Sequence, residues 1–235
     1  MFINLENKTW PFILHSPNYS LIFEKYYKFI LKNNKNYKKP NDLDIITFNH
    51  SFKKGMLEKQ LEKFSLEHHV LGRGIKNWQN KLKINLILNF LKKNNKKYIL
   101  SLDNYDVIIN KNLENIIELF INQEYKILFN ATCNIWPPTN TKFKCDILNI
   151  NSNNIFKYLN AGVWIAYKEY AIQIFEEAKK LINKINLPGY EFSEQIILKH
   201  TLNNFSEFNI DNKCIFFQIF HEEECKNIIK NMIKL

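Results

Sequence analysis

An α/β fold, with a mixed and mostly parallel sheet flanked by helices, is predicted by three features of the sequence. Strand-like apolar runs alternate with helix-spaced apolar patterns from Asp44 to Gln218. The central run, Tyr98-Ile99-Leu100-Ser101-Leu102, has the composition of a strand buried on both faces. It stops at Asp103-Asn104-Tyr105-Asp106, which places two carboxylates where open sheets of this class bind ligands, beyond the carboxyl ends of strands.

Residues 1–40 read as an N-terminal strand-helix appendage, and 41–235 as the main domain. Trp10–His15 is strand-like and is followed by the turn signal Ser16-Pro17-Asn18, after which Leu21, Ile22, Tyr26, Phe29 and Ile30 recur at helical spacing. The polar stretch Asn33–Asn41 is the expected linker. Asp44–Phe48 is then the first strand of the main domain, Met56–Phe64 its helix, and His69-Val70-Leu71 a second strand running into Gly72-Arg73-Gly74. Glycine at 72 would let that loop approach a ligand closely. A helix over Lys83–Lys92 feeds the central strand.

After Asp106 the pattern predicts a helix over Leu113–Phe120 and a strand over Tyr125–Asn130, then a loop carrying Trp136-Pro137-Pro138. Tyr158–Ala166 reads as a turn with small residues entering a strand, and Tyr170–Ile182 as an amphipathic helix. Phe192–Leu198 reads as a helix start and Cys214–Gln218 as the last strand.

Composition narrows the function classes. With 46% hydrophobic and 14% aromatic residues the 235-residue chain is globular. The net charge of +10 is spread as lysines among asparagines and isoleucines. A nucleic-acid module would cluster them with aromatics on one element, so no nucleic-acid partner is expected. No apolar run approaches the ~18 residues of a membrane span and no secretory leader is evident, so a cytoplasmic protein without a transmembrane segment is expected. Cys133, Cys145, Cys214 and Cys225 show no zinc spacing. The two aspartates are of the kind that hold Mn²⁺ or Mg²⁺ on a nucleotide diphosphate, since hard cations take carboxylate, phosphate and water oxygens.

The stretches HHVLGRG, KLKINLILNFLK, YILSLDNYDVII, NIWPP, YLNAGVWIAY, SEQIIL and IDNKCIFFQ, in that order, resemble the glycosyltransferase domain of the procollagen-lysine hydroxylases and its viral and bacterial relatives. The resemblance implies the GT-A fold and transfer of a hexose, of the glucose or galactose class, from a UDP-sugar to a hydroxyl on a glycan or protein. It also implies Asp103 and Asp106 as ligands of Mn²⁺ (or Mg²⁺), Tyr105 stacked on uracil and Lys83 near the phosphates. Trp136 would lie over the sugar, Asn160 and Gly162 would line the donor site, and Glu194 and Gln195 would face the sugar. Ser193 stands where the family has a further acid. The family's third metal ligand is a histidine from a segment after the last matching strand. Here PFILHSPN has the look of that segment, so His15 is expected beside the aspartates as though the chain were circularly permuted, with His221 the other candidate. The competing expectations are an inactive glycan- or nucleotide-binding relative and a sugar-phosphate nucleotidyltransferase.

Overall fold

The structure, a computed structural model, describes residues 8–17, 21–33, 36–138, 143–147, 154–185 and 189–220. In chain order the elements begin with β1 (Ile13–His15), α1 (Leu21–Asn33), β2 (Leu43–Phe48), α2 (Met56–Lys63) and β3 (His69–Leu71). Next come α3 (Leu82–Lys93), β4 (Tyr98–Leu102), β5 (Val107–Ile109), α4 (Ile116–Asn122), β6 (Ile127–Thr132) and α5 (Lys144–Ile147). The chain continues through β7 (Tyr158–Tyr167), α6 (Lys168–Leu181), α7 (Glu194–Leu202), β8 (Phe208–Ile210) and β9 (Phe217–Ile219).

The main sheet has the order β3-β2-β4-β7-β6-β8, with β7 alone antiparallel to its neighbours. Strand periodicity sends alternate side chains into two cores, one on each face. Leu100, Ile45 and Leu128 join one core with Leu57 and Leu61 of α2. Their neighbours Ile99, Ile46 and Phe129 join the other with Ile84 and Ile87 of α3, Phe175 of α6 and Ile197 of α7. Burying such a side chain stabilises the fold by about 1.5–3 kcal/mol, which is why these continuous apolar runs become central strands.

A second sheet, β5-β1-β9, lies beside the first core. In it β1 is central, antiparallel to β5 and parallel to β9, and its register pairs His15 with Val107 and Ile219. Phe12, Ile13 and Leu14 of this segment, with Phe23, Tyr27 and Ile30 of α1, are buried in the same core as Leu100 and Val107.

The structure departs from the sequence pattern at a few places. Residues 107–109 form β5, a strand the pattern did not predict, because β1 arrives to pair with them. The last strand begins at Phe217 rather than Cys214, because the Asp211 carboxylate gathers the backbone N–H groups of Ile215, Phe216 and Phe217 and holds the preceding residues in a turn. No described helix is long and apolar enough to cross a membrane.

Candidate metal and donor site

β4 ends at Leu102, opposite Val163 of β7, and the next N–H, that of Asp103, donates to the Gly162 carbonyl (2.9 Å). The turn that follows is closed by β1, whose Ser16 N–H donates to the Asp106 carbonyl (2.8 Å). The two attachments bring His15, Asp103 and Asp106 together, with one ligand atom from each lying within 4.8 Å of the others. His15 Nε2 is 3.4 Å from Asp106 Oδ2.

Gly162 makes this approach sterically feasible. A Cβ there would lie 2.6 Å from Asp103 Oδ2 and 2.8 Å from His15 Cε1. The register between β6 and β7 shifts between Phe129 and Asn130, a bulge of the sort that re-aims side chains beside sites. At that point the buried Asn130 places Nδ2 3.4 Å from His15 Nδ1, while its Oδ1 has no hydrogen-bond partner among the described residues.

Lys83, in the first turn of α3, reaches into the same site. Its ammonium donates to Asp103 Oδ1 (2.6 Å) and to Oε1 of Glu194 (2.8 Å), the first residue of α7. Burial pushes the Asp103 carboxyl above the ordinary carboxylate range, with Asp106 and Glu194 adding to the rise and Lys83 opposing it. Burial acts on Asp106 in the same sense, but the adjacent His15 outweighs it and the carboxyl is lowered. Burial would lower His15, yet Asp106 and then Asp103 raise it, and the carboxylates of Asp103 and Glu194 likewise raise Lys83 against its burial. Three carboxylates therefore face one lysine and one histidine, an arrangement short of positive charge.

The other expected residues are held in different ways. Asn160 accepts the Gly162 N–H through Oδ1 (3.1 Å), shaping the turn beneath Asp103. Gln195 is fully engaged: Oε1 accepts from the Ala161 N–H (2.9 Å) and Nε2 donates to the Trp136 carbonyl (2.7 Å). It thus ties the Trp136 loop to β7, while the Trp136 ring stays 42% exposed with its edge-to-face partner Tyr190. Tyr105 leaves its ring 49% exposed and donates its hydroxyl to Asn49 Oδ1 (2.8 Å). Gly72 follows β3. Its φ of +93° and the Trp78 ring, 2.6 Å from where a Cβ would sit, are what require glycine there. His221 lies outside the described residues.

The sequence reading did not single out Asn49, Glu58, Arg73, Asn104 or Asn130. Asn104 and Arg73 carried a usable signal, standing inside the D-N-Y-D turn and between two glycines. Glu58 carried none, since an acid in the first turn of an amphipathic helix ordinarily faces solvent.

Residues 39–231 match the family model described as the PLOD GT domain. Among solved structures, the crystal structure of a glycosyltransferase involved in the glycosylation of the major capsid of PBCV-1 is similar at a TM-score of 0.46 and 14% identity. The match covers 82% of this chain and 90% of that one. No curated protein matches the chain.

Proposed function

The chain belongs to the PLOD GT domain family, and on that basis we propose that this glycosyltransferase moves a hexose from a UDP-sugar to a hydroxyl of a glycan or protein, with Mn²⁺ or Mg²⁺ at His15, Asp103 and Asp106. Its fold is of the GT-A type, a mostly parallel sheet flanked by helices. The observation that carries the reading is the cluster of one imidazole and two carboxylates at the carboxyl end of β4, beside a buried lysine.

The donor set fits a divalent cation. Gly162 keeps a Cβ out of the space between His15 and Asp103. The orphan Asn130 Oδ1 offers an acceptor: with the amide turned over, it takes the proton of His15 Nδ1 and leaves the Nε2 lone pair facing the aspartates. A bound cation would act as Lewis acid and neutralise charge on the departing UDP. Lys83 would lend its positive charge to the same diphosphate, and the exposed Tyr105 ring offers a stacking face for the base. Glu194, held by Lys83, and the Trp136 loop, held by Gln195, would border the sugar. Residues before 39 lie outside the family match, yet β1 brings His15 to this corner. That supports reading the N-terminal segment as a permuted piece of the catalytic domain.

Calorimetric titration of UDP with and without Mn²⁺ tests the proposal. The wild type is expected to bind UDP only with the metal, and Asp103→Asn and Asp106→Asn are each expected to lower affinity by roughly 100-fold or more. Folded wild-type protein that binds no UDP under either condition would leave the reading to an inactive relative. Binding would be followed by turnover assays with UDP-glucose and UDP-galactose.

A further inference from the structure

Three chain segments that border the donor site converge on a single carboxylate outside it, that of Glu58 on α2. The residue is 1% exposed. Its Oε2 accepts from Asn49 Nδ2, which follows β2, from Asn104 Nδ2, which sits between Asp103 and Tyr105, and from the Gly55 N–H. Its Oε1 accepts from Arg73, which follows β3 and whose other guanidinium nitrogen donates to the Ser51 carbonyl. The attachment is reciprocal, for the Leu57 and Glu58 N–H groups donate to the backbone and side-chain oxygens of Asn104 (3.0 and 3.3 Å). Gly55 is a glycine because a Cβ there would lie 2.5 Å from Asn104 Oδ1.

Burial alone would raise the Glu58 carboxyl, but hydrogen bonds from Asn49, Asn104 and Gly55, with the Arg73 charge, outweigh it and hold it ionised. A buried carboxylate surrounded by donors alone has little freedom to rearrange.

We infer that Glu58 is the positioning residue of the donor site: through Asn104 it sets the turn that carries Asp103 and Asp106, and through Asn49 it aims the Tyr105 ring at the nucleobase. The inference rests on the proposed donor site and adds a division of labour within it. The Asn104 limb governs the grip on metal and diphosphate. The Asn49–Tyr105 limb governs only the base.

Calorimetry with Mn²⁺ and either UDP or inorganic pyrophosphate separates the two limbs. Glu58→Gln turns an amide NH₂ toward groups that are themselves donors, and is expected to weaken UDP about 100-fold and pyrophosphate about 10-fold. Tyr105→Phe keeps the ring and removes only the hydroxyl that Asn49 holds. It is expected to weaken UDP about 5- to 10-fold and leave pyrophosphate unchanged. General destabilisation would lower both ligands by one common factor, and that result in Glu58→Gln overturns the inference. Wild-type UDP affinity in Tyr105→Phe also overturns it, and decides the matter alone if Glu58→Gln does not fold. Wild-type protein that binds neither ligand removes the donor site itself, and the inference with it.

Discussion

Lys199 and Lys83 both meet carboxylates out of bulk water, and their two sites are built to opposite ends. Lys199 of α7 is wholly buried and donates to both oxygens of Asp146 on α5 (2.8 and 2.9 Å), with the Phe143 ring 5.7 Å from its nitrogen. One charge meets one charge, bidentately, and the site is closed. Lys83 is 8% exposed, but its partners Asp103 and Glu194 are 24% and 11% exposed, and Asp106 and His15 stand behind them. There the acids outnumber the lysine and open toward solvent. A buried charge that is fully paired needs no further partner, whereas the unbalanced acids at the end of β4 are where the proposed cation would supply the missing positive charge.

The comparison predicts different responses to one substitution. Lys199→Met leaves Asp146 buried and unpaired and is expected to cost roughly 3–5 kcal/mol in urea denaturation, with no recovery on adding Mn²⁺. Lys83→Met is expected to cost less, about 1–3 kcal/mol, because its acids reach solvent, and Mn²⁺ should restore much of the loss by supplying the missing positive charge. Equal indifference to Mn²⁺ in both variants would erase the distinction. Next in size, His15→Gln is expected to weaken Mn²⁺ binding by roughly 10-fold or more while leaving the urea midpoint close to that of the wild type. An unchanged Mn²⁺ affinity would take β1 out of the metal corner.

A further buried acid, Asp211, sharpens the contrast. Asp211 has three backbone N–H partners at 2.6–3.0 Å, yet burial raises its carboxyl from 3.8 to about 6. A folded-state value above the unfolded one means that its stabilising contribution is complete below pH 3.8 and is lost as pH rises through 6. Wild-type stability relative to Asp211→Asn should therefore fall by on the order of 1–3 kcal/mol between pH 4 and 7. Parallel pH profiles for the two proteins would exclude that linkage.

How much of this was legible in the sequence follows from how local each cause is. The apolar runs of β2, β4 and β6 and the helical spacing of α3 and α6 carry their own periodicity, and their existence was readable within a residue or two at most ends. The D-N-Y-D turn announced itself because it follows a strand buried on both faces. His15 was reached through resemblance, since a histidine after three apolar residues gives no hint of which strand it will pair with. β5 was unreadable because three residues become a strand only when β1 lies beside them. The burial of Glu58 depends on Asn104, which is 46 residues away, and no window along the chain contains both. At Gly72 the positive φ and the Trp78 ring beside it also require glycine, and neither can be read from two glycines flanking an arginine.

The central place of β1 has a further consequence, for the order in which the molecule is assembled. β1 precedes both of its partners along the chain, so it cannot be paired until β5 and then β9 exist, and the Phe220 N–H donates to the His15 carbonyl (2.8 Å). Contacts between such distant parts of a chain form slowly, because loop closure precedes any gain from pairing. A chain whose large sheet is already formed would therefore still lack His15 beside Asp103 and Asp106, and for the proposed metal site the arrival of Mn²⁺ affinity during refolding would time the closing of the second sheet.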